Sequence, residues 1–377
     1  MRLGRIIAIA HKEFIHVLRD PRSLGMAVAI PMLLLVLFGY ALTLDVDKVP
    51  VVFWDQSHSV DSREFISRFV ASPYFTVKES VDNYADLEHA IDTGDVLMAA
   101  VIPSDFPRQS HSSKQALVQL VLDGSDSNTA TIALGYAEGV VQAYSREINT
   151  IKYQRLGGRT VTSPVDFRPR VWFNPDLESK NYIIPGLIAV IMMVIAALLT
   201  SLTVAREWER GTMEQLVSTP VKGPELILGK FLPYFIIGMV DVLLAVLMGE
   251  FLFQVPLRGS PALLFSIAAV FLGGALSLGL LISIITKSQL LASQLAMVLT
   301  FLPSFLLSGF MYAISNMPKA IQLITHLVPA SYFVTILKGI YLKGIGLEIL
   351  IYEASLLTIF GGAMLLISIF KFKKKLA

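Results

Sequence analysis

Six long apolar runs constrain this chain more than any other feature: Ser23–Leu44, Tyr182–Ala205, Leu226–Phe253, Pro261–Thr286, Leu290–Tyr312 and about Leu350–Phe370. A helix needs roughly 20 mostly apolar residues to cross a hydrocarbon core about 30 Å thick. Backbone polar groups in lipid must be satisfied internally, so these runs read as six transmembrane helices. Composition agrees, with a mean hydropathy of +0.64 and only 16% charged residues, against about 25% in soluble domains. Arginines precede the first run, which raises a cleaved signal peptide as the competing reading. Its apolar core is too long for that, and an amphipathic stretch lies upstream. Pro31, Pro185, Pro233 and Pro303, with the pair Gly273-Gly274, predict kinks and close helix contacts.

Lysine and arginine in short loops set orientation. Arg2, Arg5, Lys12, Arg19, Arg22, Arg206, Arg210, Lys222, Lys287 and the tail Lys371-Phe-Lys-Lys-Lys375 fall on one side; Arg258, Lys319, Lys338 and Lys343 fall on the other. Both termini and the 206–225 loop are therefore expected in the cytoplasm. The long 45–180 segment is expected outside, since large domains translocate regardless of charge.

The parts then follow in order. Residues 1–22 form a basic amphipathic helix suited to the membrane interface, with Arg2, Arg5, Lys12, Glu13 and Arg19 mostly on its polar face. Arg19-Asp-Pro21 breaks it before the first span, residues 23–44. Residues 45–180 alternate strand and helix patterns, and so predict an extracytoplasmic α/β domain with one small core. Residues 181–370 hold spans two to six. Within them, about 206–220 form a cytoplasmic helix, and about 313–348 form short helices at the outer membrane face. Residues 371–377 are a basic cytoplasmic tail. Trp172 and Phe173-Asn-Pro175 read as an interfacial aromatic belt.

Little chemistry is legible. The chain has no cysteine and six scattered histidines, which excludes disulfides and thiolate metal sites. A net charge of +2 does not suggest a nucleic-acid partner. Asp123-Gly-Ser-Asp126 fits no calcium loop and reads as a turn with a helix cap. Gly223–Lys230 has one residue too many between its glycines for a phosphate loop, and Phe231 stands where a hydroxyl is needed. No catalytic residue, bound cofactor or metal is expected. His326 reads as a structural histidine. Asp241 sits near mid-membrane, where a carboxylate faces the bundle interior or a wet cavity. It is either a pathway group or a structural contact to a neighbouring helix or second copy. Glu250 reads as a group of the outer interface.

The densest charge lies between the second and third runs, in Arg206-Glu-Trp-Glu-Arg-Gly-Thr-Met-Glu214. As one helix, it puts Trp208, Thr212 and Leu216 on a stripe, with Glu209 and Met213 adjacent. Arg206, Glu207, Arg210 and Glu214 then offer ion pairs to a polar partner, and Gly211 offers close backbone approach. The alternative is a solvated loop with internal salt bridges.

These residues carry a family likeness. Lys12-Glu13 with Arg19-Asp20-Pro-Arg-Ser23 resembles the entry helix of type-2 ATP-binding-cassette (ABC) exporter permeases. So do Phe173-Asn-Pro175 with Ile184-Pro-Gly186, the 205–214 block, Phe301-Leu-Pro303-Ser304 with Leu307-Ser308-Gly309-Phe310, and Val328-Pro-Ala-Ser-Tyr-Phe333. The likeness is closest to the bacterial multidrug-export subgroup with a large extracytoplasmic domain.

That resemblance implies a permease subunit in a bacterial inner membrane, moving small amphiphilic compounds or drugs out of the cytoplasm or inner leaflet. Two copies of a separate ATPase would bind ATP and Mg; this chain would bind no cofactor. A second permease would complete a homo- or heterodimer, with membrane lipid around it and a periplasmic membrane-fusion adaptor as a further partner. Arg206, Glu207, Trp208, Glu209, Arg210, Gly211, Thr212, Met213 and Glu214 would form the ATPase-coupling interface, flanked by Lys12, Glu13, Arg19 and Asp20. Asp241, Pro303, Ser304, Ser308 and Gly309 would line the pathway or pack helices. A membrane-anchored ligand sensor and a secondary transporter using Asp241 are the readings from other classes.

Overall fold

A computed structural model of the chain describes residues 2–20, 24–42, 46, 48–111, 115–155, 172–175 and 178–372. The readings placed on Pro21–Ser23, on residues 156–171 and on Lys373–Lys375 lie outside them. Two compact units emerge, one from residues 1–43 with 170–377 and one from residues 44–169.

The first unit begins with α1 (Leu3–Arg19), whose buried stripe is Ala10, Glu13 and Val17. Glu13 thus sits on the buried face, a correction to its assignment to the polar one. The helix stops where Asp20 takes an extended conformation, as the residue before a proline is driven to do. A π-helical turn, Gly25–Ala29, then feeds α2 (Ile30–Ala41).

The second unit contains β1 (Val49–Asp55), α3 (Val60–Ala71), β2 (Phe75–Val77), α4 (Tyr84–Asp92), β3 (Met98–Ile102), α5 (Phe106–His111), β4 (Gln119–Leu122) and α6 (Ser127–Arg155). Its sheet runs β2-β1-β3-β4, with β1 parallel to β2 and β3, and β4 antiparallel to β3. Alternate residues enter different cores. Val51, Phe53, Ala100 and Ile102 pack with Phe65, Phe69, Phe106 and Ala133 on one face; Val52, Ala99 and Val101 pack with Leu87 on the other. Burial on both faces explains why the central strands read as continuous apolar runs. Helix α3 is opened by a capping box in which Ser59 and Ser62 each accept the other's backbone N–H at 3.0 Å. Asp126 caps α6 by accepting from the Thr129 hydroxyl and the Asn128 N–H, and those bonds hold its carboxyl below the usual range.

The first unit resumes with α7 (Ser179–Glu209), α8 (Thr212–Ser218), α9 (Gly223–Leu247), α10 (Pro261–Thr286), α11 (Gln289–Leu307), α12 (Lys319–Thr325), α13 (Pro329–Lys338) and α14 (Leu347–Lys371). Helix α7 is the axis, packed by α2, α9, α10, α11 and α13. Such crowding demands small residues. A Cβ on Gly279 of α10 would collide with the Ala197 carbonyl and the Thr200 hydroxyl. Thr200 also donates to the Leu276 carbonyl at 2.9 Å, and the Ser283 hydroxyl accepts the Val204 and Ala205 N–H groups at 3.0 and 2.9 Å. Gly274 meets Gly361 where α10 crosses α14, the close contact expected of the glycine pair.

Among the described residues, five helices are long and apolar enough to cross a membrane: α7, α9 with its π-helical end to Leu252, α10, α11 and α14. The first run appears as a shorter apolar helix, Ala27–Ala41, and α12 with Pro329–Lys343 forms a pair bent by 86°. The expected 290–312 span ends as a helix at Leu307, where Ser308 and Gly309 turn the chain. His326, at the C-cap of α12, is exposed, and its carbonyl accepts the Tyr332 hydroxyl at 2.7 Å.

Candidate coupling site

The charged block is not one helix. Helix α7 ends at Glu209, and Gly211 takes φ +71°, a left-handed conformation that favours glycine. Helix α8 starts at once with Thr212. Nothing lies within 4 Å of where a Gly211 Cβ would stand, so the glycine is explained by the turn alone. The stripe drawn from a single helix is corrected by this break.

Beneath the turn lies a buried ion cluster. Lys230 of α9 is 1% exposed, and its ammonium reaches Glu13 Oε1 of α1 at 2.7 Å and Glu207 Oε1 of α7 at 3.2 Å. Lys12 adds a second cation to Glu207 at 3.1 Å. The other carboxylate oxygen of Glu207 accepts the Thr212 hydroxyl. One carboxylate therefore links α1, α9 and the first residue of α8. An isolated buried charge is very costly, whereas two acids around one ammonium compensate it. Gly229 makes this approach possible: a Cβ there would lie 2.7 Å from the Ile9 Cβ and 3.2 Å from the Ile6 carbonyl. A second acid, Glu225, accepts the Arg2 and Lys222 backbone N–H groups at 2.8 and 2.9 Å and pairs with Arg5 at 3.6 Å.

The structure divides the nine residues of the block. Glu207 and Met213 face inward; Met213 is 1% exposed among Val204, Leu226, Ile227, Leu280 and Ile284. Arg206 turns to Asp20 at 3.9 Å and to Gln289 at 3.3 Å, and Trp208 stacks under Lys287 at 4.5 Å. Thr212 is held by Glu207. Glu209, Arg210, Gly211 and Glu214 are exposed. Glu209 accepts the Gln289 N–H at 2.7 Å, and the Arg210 and Glu214 side chains have no ion pair among the described residues. Of the flanking four, Lys12, Glu13 and Asp20 join these networks, and Arg19 is exposed without such a partner among the described residues. Sequence reasoning missed Lys230, which it weighed only as part of a failed phosphate loop.

The opposite end of α7 is roughly 38 Å away along its axis. There the Asn181 amide donates to Asn174 at 2.9 Å, and the Tyr182 hydroxyl donates to the Gly309 carbonyl at 3.1 Å. Gly309 has φ +78°. Ser308 accepts the Phe310 N–H at 3.3 Å, and the Phe310 ring fills the space where a Gly186 Cβ would stand. Gly309 and Ser308 thus belong to a packing node. Ser304 is buried on α11, next to the partly buried Pro303. Asp241 lies on the buried stripe of α9, 2% exposed, with one carboxyl oxygen unpartnered among the described residues. Those residues contain no group of three His, Cys, Asp or Glu side chains able to hold a metal.

Comparison with known proteins places this architecture. The model of the ABC-2 family transporter protein matches residues 21–370. The chain is 42% identical over 341 residues to the probable multidrug ABC transporter permease YbhS of Escherichia coli (strain K12), covering 90% of this chain and 89% of that one. It is 31% identical over 345 residues to the probable multidrug ABC transporter permease YbhR of the same organism, covering 92% of each. The linearmycin resistance permease protein LnrN of Bacillus subtilis (strain 168) is 21% identical over 361 residues, with 91% and 92% covered.

Proposed function

This chain belongs to the ABC-2 family of transporter proteins, and we propose that it works as the force-receiving permease half of an exporter for small amphiphilic compounds. It is a multi-pass membrane permease subunit of an ABC exporter, not an enzyme; ATP is hydrolysed by a separate ATPase. The readings as a ligand sensor or a gradient-driven carrier fall away with that membership. The two similar permeases named for multidrug transport support amphiphilic cargo here.

In this reading the chain crosses a bacterial inner membrane six times, with both termini and α8 in the cytoplasm and the α/β unit outside. Two permeases, alike or paired with a sister, sit on two ATPase subunits that carry ATP and Mg, with a periplasmic adaptor as a further partner. Glu209, Arg210, Gly211 and Glu214 meet the ATPase, while Glu207, Thr212 and Met213 pass its movement inward.

The observation that carries this is the double anchoring of α8. Thr212 is tied to the Glu207 carboxylate, and Met213 is sunk among residues of α7, α9 and α10. A push on the exposed edge of α8 cannot be absorbed locally and must move those helices. The test replaces Glu209 and Glu214 together by arginine in the permease–ATPase complex. Expected is loss of ATPase co-purification and of ATP-dependent export into inverted vesicles; survival of both rejects the interface.

A further inference from the structure

The two ends of α7 treat a lysine differently. Lys230 has two carboxylates within 3.2 Å. Lys338, at the end of α13, is partly buried and has no carboxylate within 4 Å among the described residues. Its ammonium donates to one acceptor, the Gly309 carbonyl at 2.9 Å, and lies 3.3 Å from the centre of the Tyr182 ring. An ammonium has three donors, so two of the three have no acceptor among the described residues. A carbonyl and a ring face hold a cation in place but do not neutralise it. Close to its carbonyl partner in the chain, Leu306 and Tyr312, each three residues from Gly309, are exposed. A half-buried, uncompensated cation beside apolar surface has the chemistry to receive an acidic headgroup carried on an apolar tail.

We propose that Lys338 is a binding site for the anionic headgroup of an amphiphile, supplied either by exported cargo or by an anionic phospholipid. Gly309 and Tyr182 hold the ammonium so that its free N–H groups take a sulfonate, carboxylate or phosphate oxygen. The cargo arm rests on the exporter reading; the binding site does not.

The experiment uses the permease–ATPase complex in vesicles of phosphatidylcholine, with or without phosphatidylglycerol. Two fluorescent probes share tail and dye, one ending in a sulfonate and the other in a quaternary ammonium. For cargo, Lys338→Gln raises the sulfonate probe concentration for half-maximal ATPase stimulation about tenfold, the scale of one lost charge-assisted bond. The quaternary ammonium probe changes less than twofold, and Lys338→Arg restores the sulfonate response. For lipid, both probes lose response equally, and only where phosphatidylglycerol is present. Equal loss in every vesicle, or the same loss from Tyr182→Phe, reduces Lys338 to a structural staple and overturns the proposal. Should Lys338→Gln fail to assemble, or no probe stimulate the unaltered complex, amine labelling of that complex without ATP decides. Protection of Lys338 by the sulfonate probe or phosphatidylglycerol supports the site, and absence of protection by either overturns it. Protection without any ATP-dependent response fails the exporter reading and leaves the site standing.

Discussion

The two ends of α7 solve opposite problems with the same side chain. At Glu207 the ammonium of Lys230 is sealed between two acids and three helices converge on it. At Tyr182 the ammonium of Lys338 rests on a carbonyl and an aromatic ring. A fully paired buried charge holds elements in one arrangement, because separating them strands a charge. A cation left without its counter-ion leaves room for another molecule. The first end joins three helices of the chain; the second, in the proposal above, meets something outside it.

The largest effect expected of this contrast follows from Lys230→Met. Removing the lysine leaves Glu13 with only the distant Lys12 ammonium at 4.0 Å, and Glu207 with the half-exposed Lys12 and the Thr212 hydroxyl; breaking a buried pair from one side costs about 3–5 kcal/mol. Thermal unfolding of the purified complex should register a large drop. Adding Glu13→Gln and Glu207→Gln to the same variant should recover most of it while ATP-driven export stays lost. If the single variant unfolds at the unaltered temperature, the ion cluster is not what joins these helices.

Gly229→Ala comes next, compared with Gly186→Ala at the other end. The added methyl at 229 meets the branched Cβ of Ile9 and the Ile6 carbonyl, neither of which can swing aside. At 186 it meets the Phe310 ring, which can shift by rotation. Overpacking costs about 1–3 kcal/mol, with the 229 variant at the upper end. Equal unfolding temperatures for the two would show that α1 is free to move off α9.

How much of this was readable in one dimension depends on whether a residue's partner is near in sequence. The α/β unit was legible element by element, because Val51, Phe53 and Phe65 declare strand and helix periods locally and Gly94 and Asp123 mark the turns. The exposed rim of Glu209, Arg210 and Glu214 was legible as charge. Glu13 was misassigned because its face of α1 is defined by Lys230, 217 residues away. Lys230 itself looked like an ordinary lysine at the mouth of a span. The break at Gly211 had a signal, a glycine at a helix end followed by threonine, but the charges around it also fit an unbroken helix.

The smallest effect separates the two lysines most cleanly. Lys338→Met removes one hydrogen bond and one cation–π contact, together worth about 1–2 kcal/mol. It also abolishes the burial of a charge that no carboxylate among the described residues compensates, a gain of similar size and opposite sign. The unfolding temperature of the complex should therefore stay within a few degrees of the unaltered protein, in contrast to the collapse expected for Lys230→Met. A drop as large as that of Lys230→Met would mean that the Gly309–Tyr182–Lys338 contact holds α7, α11 and α13 together as firmly as the ion cluster holds α1, α7 and α9. The distinction between a transmitting end and a receiving end would then dissolve, since both lysines would be staples. A near-neutral result leaves Lys338 with no structural need to be charged, and the charge must then be there for what it meets.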